Sequence, residues 1–582
     1  MMAEIYKSAV SVIVWLGPAS HDSSLAFKCI QNMSSIANDV PNDVLSRLGL
    51  HEGDSPETAQ AIFNSKLSEE RQADLAAGIA ELGKAVTSSL PPAEELAALE
   101  NLFTRSWWTR VWTLQEVVLN SAVIYKCGDA KATENDMFHA ASVWLEISSR
   151  DSRYQSSKWH LLTVIETKEE FYKDDDSKEK ETENDSEMPS ALQLLNLVKI
   201  YHSRQSSQPV DRIYGLLGLA SNADKHLQPD YSKSTESVFT DFAVDCLSLY
   251  ESLTFLIKAG INCPKVQQHL NLPSWVPNWT QSLSLEPFHG EGLACANAGI
   301  GKMTTLPSTS EDRQTLFSKG IIYDVISSIK SVPLFEEVDA CYWEDMLPGG
   351  NPQPYHLRGH SITQLEALFR AIVLDFAFSH EDGSLGPERL PIKDEDRLFL
   401  VFTAFLREIG TAQGQSANQN LDEKLGDILL RWIGETRNGR PDEAILGVLL
   451  GQARADSYIH WLRKEVAYAR DHGFDILDTF KAPGFSNMYQ YTRRMYVGDN
   501  GRALFRTDRS LLGSAHVGLR PGDAICVLTH FEAPVALRKC QDGDGHTSWQ
   551  LLGPCFVLGL MDGEAIAELK EGKLDLETFN IV

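Results

Sequence analysis

The 582-residue chain lacks the features that would assign it at once. Its nine cysteines are odd in number, far apart, and form no Cys-x-x-Cys pair. That spacing excludes a zinc framework and predicts reduced, mostly buried thiols. No stretch approaches the roughly 18 apolar residues that span a bilayer, and the first residues, Met1-Met2-Ala3-Glu4-Ile5-Tyr6-Lys7, carry no basic segment followed by an apolar core. A soluble cytoplasmic protein without an integral membrane segment is expected. Cations are scarce: 53 Lys+Arg against 80 Asp+Glu leave a net charge of −27. Phosphate binding needs clustered Lys and Arg, so nucleic acid is not an expected partner. Catalytic and metal motifs are also missing. Gly359-His360-Ser361-Ile362-Thr363 lacks the second glycine of a nucleophile elbow and reads as a helix N-cap by Ser361. Asp542-Gly543-Asp544-Gly545 has no bidentate Glu at the calcium-loop spacing and reads as a hairpin turn. No metal site is predicted.

What is present begins with Val10-Ser11-Val12-Ile13-Val14-Trp15-Leu16, closed by Gly17-Pro18. A run apolar on both faces suits a central strand of a parallel sheet, covered by helices above and below. Asp22 to about Ala37 and Glu57 to Ser89 read as helices, and Ser121 to Cys127 as a strand ending at Gly128-Asp129. Lys168 to Glu187, with almost nothing apolar, reads as a solvated, disordered insertion. The prolines of Leu272-Pro273-Ser274-Trp275-Val276-Pro277-Asn278-Trp279 exclude a regular element, leaving the tryptophans to pin a loop onto the helices. Helical periods dominate again from Ile362 to Arg470, and short strands separated by glycines fill the last 90 residues, with a charged helical tail after Asp562.

The densest segment is Ser106-Trp107-Trp108-Thr109-Arg110-Val111-Trp112-Thr113-Leu114-Gln115-Glu116-Val117-Val118-Leu119. Trp107, Val111, Leu114 and Val118 recur at i, i+4, i+7 and i+11, one stripe of a helix. On that helix the neighbours of Glu116 are Trp112, Thr113, Leu119 and Asn120, none a cation, so no local ion pair explains the carboxylate. Two readings stand: a partly exposed surface acid, or an acid desolvated against aromatic surface and fitted for acid/base or cation-stabilising chemistry. Trp107, Trp108 and Trp112 fit a core stripe as well as a ligand platform, and Arg110 fits a structural ion-pair partner.

These residues resemble a known family. Ile5-Tyr6-Lys7-Ser8-Ala9 with Val12 to Gly17, then Trp108 to Glu116, is similar to the second half of the fungal heterokaryon-incompatibility (HET) domain. Asp211-Arg212-Ile213-Tyr214-Gly215-Leu216-Leu217-Gly218, Pro229-Asp230-Tyr231-Ser232, Leu272 to Pro277 and Gly518-Leu519-Arg520-Pro521-Gly522-Asp523 resemble blocks that follow it. The family's opening strands, with their Trp-Gly and Cys-Ile-Asn-Gln signatures, do not precede Met1, which predicts an incomplete sheet. HET domains are similar to TIR domains, flavodoxin-like parallel sheets that assemble and in some members cleave NAD. Trp112-Thr113-Leu114-Gln115-Glu116 matches the Trp-x-x-x-Glu arrangement of those enzymes. The resemblance therefore implies Glu116 as the catalytic acid, steadying an oxocarbenium-like ribosyl cation. It further implies Trp112 and Arg110 as substrate-binding residues, NAD as substrate with no resident cofactor, and partners among incompatibility proteins or copies of the same chain.

The expected architecture is α/β. Residues 1–130 form a partial TIR/flavodoxin-like parallel sheet, and 131–190 a helix with the acidic insertion. A mainly helical region follows at 191–490, and a small β-rich unit at 491–582. Three functional readings remain open: an NAD-consuming effector switched on by assembly, a non-enzymatic interaction module, and an inactive remnant.

Overall fold

A computed structural model describes residues 2–38, 91–150, 164, 167, 168, 171, 172, 193–202, 204–221, 228–260, 270–280, 305–331, 355–362, 367, 370, 371, 375–379, 385–389, 502–516, 518–541 and 547–582. The helix expected over 57–89, the acidic run 173–187, most of 363–500 and the turn 542–546 lie outside these residues. The chain divides into two units, 1–242 with 279–282, and 243–278 with 283–582.

In the first unit, α1 (Met2–Ser8) leads into β1 (Val12–Trp15) and α2 (Ser23–Asn38). Next come α3 (Ala93–Phe103), a 3₁₀ turn (Ser106–Thr109), α4 (Thr113–Val118), β2 (Val123–Cys127), β3 (Ala130–Thr133) and α5 (Glu134–Arg150). α6 (Leu194–Ile200) and α7 (Asp211–Tyr214) follow, and the division between the units falls within α8 (Thr235–Tyr250). The α/β expectation holds at this level, and Pro92 stands as the N-cap of α3.

The sheet runs β1-β2-β3, with β1 parallel to β2 and β2 antiparallel to β3. This corrects the expectation of a purely parallel sheet in this segment. Only Gly128 and Asp129 separate β2 from β3, and so short a loop joins antiparallel neighbours alone. Gly128 holds φ +57, and a Cβ there would stand 2.8 Å from that of Ala19.

β1 differs from its reading on one face. Val12 and Val14 are buried, whereas Ile13 and Trp15 are 58% and 51% exposed, so among the described residues one side only is covered. Beneath the covered side, Trp108 stacks on Tyr125 at 6.0 Å and meets Phe103 edge-on at 5.5 Å, and Phe103 meets Trp144 at 5.8 Å. Such pairs add about 0.5–1.5 kcal/mol each beyond the area they bury. After β1 the chain turns at Gly17 (φ +107), where Arg105 donates to the carbonyls of Leu16 and Pro18 at 2.9 Å and to Ser20 Oγ at 2.7 Å. One guanidinium therefore closes the carboxyl end of β1.

The second unit is built on β5 (Leu316–Ser331), preceded by β4 (Ser308–Thr309) and followed by the hairpins β6 (Tyr355–Leu357) with β7 (His360–Ile362) and β8 (Phe376–Ser379) with β9 (Leu385–Arg389). Then come β10 (Arg502–Thr507), β11 (Leu512–His516), β12 (Ala524–Leu528), β13 (Pro534–Gln541), β14 (Thr547–Val557), α9 (Glu564–Lys570) and β15 (Glu577–Ile581). Pairing runs β5-β12-β13-β14-β11-β10 and returns to β5, so the strands close on themselves. Closure leaves few free edges. Ile321, Phe505, Ile525, Val527 and Val557 fill the interior.

Several expectations change here. Sixteen-residue β5 and two hairpins fall inside the stretch read as mainly helical, 191–490. Ser361 lies in β7 instead of capping a helix. Gly553-Pro554 does not divide two short strands but lies within one, β14, and β15 follows the helical tail. Trp275 is buried, edge-on to Phe255 at 6.4 Å, and donates to the Gln314 carbonyl, while Trp279 packs on Phe242 at 5.2 Å, as the loop reading required.

Among the described residues no helix is long and apolar enough to cross a membrane, and no group of three or more His, Cys, Asp or Glu could hold a metal ion. The described cysteines are free, and five of the six are buried.

Candidate functional site

The segment from Trp107 to Val118 is not one helix. Arg110 is extended (φ −86, ψ 139) and forms a parallel bridge with Gln205, which receives the Val111 N–H at 3.0 Å and donates its own N–H to the Thr109 carbonyl at 2.6 Å. The break corrects the single-stripe reading, although Trp107, Val111, Leu114 and Val118 are all buried. It also has a geometric result. Nine residues along a continuous helix would put Trp107 and Glu116 two and a half turns apart on opposite faces. With the chain bent at Arg110, the Trp107 indole N–H donates to Glu116 Oε2 at 2.9 Å.

Glu116 is half-buried on α4, and burial raises the pKa of its carboxyl above the usual carboxylate value. The Trp107 hydrogen bond and the positive charge of Arg110 pull in the other direction without overcoming it. Tyr6 of α1 is the other group coupled to this acid, its hydroxyl pKa raised by burial and then by the Glu116 charge. Glu116, Arg110, Trp107 and Tyr6 are thus brought together.

Trp112 has a different place. It is the N-cap residue of α4, half-buried, and the indole bonded to Glu116 belongs to Trp107. Arg110 is exposed and acts on Glu116 by charge, with no ion pair between them within 4 Å. Tyr6 and Trp107 were absent from the sequence-derived site. Trp107 was missed because helical spacing turned it away, and Tyr6 because no local pattern links residue 6 to residue 116.

α4 is braced from the far side. Gln115 donates its side-chain N–H to the Gly215 carbonyl at 2.8 Å. A Cβ on Gly215 would lie 2.7 Å from the Asp211 carbonyl oxygen and 3.2 Å from Val111, and one on Gly218 would lie 3.0 Å from Gln115. The Asp211–Gly218 block therefore packs against the Trp107–Glu116 segment with no room for side chains at those glycines. Arg204 is fully buried beside it, its pKa lowered by burial to about 10, and its guanidinium lies over Tyr201 at 5.2 Å.

A second polar cluster lies under the sheet. Lys168 is buried, forms an ion pair with Glu134 and donates to the Asn120 carbonyl at 2.8 Å. Burial lowers the Lys168 pKa and raises that of Glu134, and each charge partly restores the other. This corrects the solvated reading at Lys168. The adjoining cavity, about 20 Å³ between Trp108, Tyr125, Glu134, Met137 and Lys168, has the room of one water molecule. It is too small for a substrate.

The segment that holds this geometry has relatives among known proteins. Residues 1–116 match the family model described as heterokaryon incompatibility protein (HET). The chain is similar to heterokaryon incompatibility protein 6, OR allele, of Neurospora crassa, at 23% identity over 97% of this chain and 78% of that protein. No solved structure matches. The match ends on Glu116, so the segment that carries the candidate site is the one that matches the HET domain.

Proposed function

We propose that this protein acts in fungal heterokaryon incompatibility, leading to programmed cell death, and that Glu116 is the acid through which its HET domain cleaves NAD. The observation that carries the reading is the half-buried Glu116 carboxyl, pinned by the Trp107 indole within the segment matched to HET. The similarity to an incompatibility protein along 97% of the chain supports the biological role. In the proposed reaction the ribosyl C1′–N bond breaks and its electron pair leaves with nicotinamide. Glu116 steadies the developing ribosyl cation, and water adds at C1′ with its proton passing to Glu116 or solvent. Arg110 supplies positive charge for the pyrophosphate, and Trp112 supplies aromatic surface beside α4. The test is nicotinamide release by the assembled full chain and by Glu116→Gln. A loss of at least about 100-fold is expected, on the scale of general acid/base contributions; equal release removes Glu116 from the reaction.

A second reading, assembly without catalysis, draws on the open apolar face of β1. Cell death that persists in a strain carrying Glu116→Gln would favour it.

A further inference from the structure

The open face of the β1-β2-β3 sheet carries an arrangement that the NAD reading does not use. Opposed residues share a face, so the pairing register gives its rows: Ile13, Ile124 and Thr133 in one, Trp15, Lys126 and Lys131 in the next. Ile13, Trp15 and Ile124 are 58%, 51% and 36% exposed, and Val10, on the approach to β1, is 97% exposed. In a sheet with a parallel pair both faces are ordinarily covered by helices, and among the described residues this one is left largely exposed.

The lysines indicate what would cover it. Lys126 and Lys131 stand directly opposite one another, an arrangement that destabilises a strand pair, and neither makes an ion pair among the described residues. The nearest acid in sequence is Asp129, exposed on the turn between them. A second copy packed face to face would add two more lysines to an interface that already holds two. Three strands spaced about 4.8 Å apart span roughly 10 Å, the diameter of one α-helix. Their length of four or five residues, about 13–17 Å, matches roughly three helical turns.

We propose that this face docks a short acidic amphipathic helix of a partner protein. Its apolar stripe lies on Ile13, Trp15 and Ile124, and its carboxylates lie on Lys126 and Lys131.

The test uses the full chain and two fluorescein-labelled 18-residue helical peptides, one of leucine and glutamate, the other with every glutamate replaced by lysine, read by fluorescence anisotropy. The acidic peptide should bind about tenfold tighter than the basic one, as two charge contacts of modest strength imply, even though the whole chain carries −27. Lys126→Glu with Lys131→Glu should invert that preference, which misfolding cannot do, and Trp15→Ser should weaken both peptides. The proposal is overturned if neither peptide binds, if the basic peptide is preferred by the unaltered protein, or if the double substitution leaves the preference unchanged. It is overturned equally if Trp15 proves to be hidden by self-association in sedimentation, or to bind phosphatidylserine vesicles while ignoring both peptides.

Discussion

Replacing Trp107 by Phe isolates the contact on which the candidate site turns. The ring remains and the N–H that reaches Glu116 Oε2 at 2.9 Å is lost. A hydrogen bond to a charged group contributes roughly 1.5–3 kcal/mol, and one to a neutral group roughly 0.5–1.5. Glu116 is only half-buried, so the lower end of the first range applies, and a coupling of about 1.5 kcal/mol with the ionised acid is expected. The smaller ring also loosens the contacts with Trp108 at 4.8 Å and Tyr125 at 6.3 Å, a cost unrelated to the acid. A double-mutant cycle with Glu116→Leu removes that cost from the result. The free energies come from native-state hydrogen exchange of the α4 amides, since two units make a single unfolding transition an unsafe reference. The coupling should shrink as the pH falls and the acid becomes neutral. A coupling below about 0.3 kcal/mol at pH 7, within the error of additive sites, would refute the reasoning.

Other perturbations have definite directions. Burial raises the Glu116 pKa, so in the window between the ordinary carboxylate value and the raised one the folded chain binds more protons, and stability falls as pH rises through it. Glu116→Gln should therefore raise the melting temperature of the first unit at pH 7 by a few degrees, under about 1 kcal/mol after solvent screening, with the gain vanishing near pH 4; a loss at pH 7 would contradict this. Lys168→Met leaves Glu134 buried alone and should cost about 3–5 kcal/mol, most of it recovered when Glu134→Leu is added; urea titration of the pair and the singles decides. Gly260 holds φ +121, and a Cβ there would stand 2.4 Å from the Leu552 carbonyl oxygen, so Gly260→Ala should destabilise the second unit by more than about 2 kcal/mol. A change below 0.5 kcal/mol would show that the backbone gives way.

The sequence alone marked the helix after Asp22, strands within Val10–Leu16 and Ser121–Cys127, and most strands of the last 90 residues. It also marked Glu116 as a carboxylate without a local cation. Each is written in spacing that a few neighbouring residues carry: a β-branched run closed by Gly17-Pro18, alternation between glycines, and an acid whose helical neighbours are all uncharged. Tertiary structure decided what depends on distant partners. Gln205 breaks the helix at Arg110 by offering its backbone, and that break puts Trp107 on Glu116 and leaves Trp112 at the cap. Likewise β5 is drawn into the closed sheet by strands nearly 200 residues away, and β1 keeps one exposed face because its neighbours among the described residues pack on the other. Periodicity reports which residues could share a surface; which surface it is, and what meets it, follows from long-range pairing whose partners no local window contains.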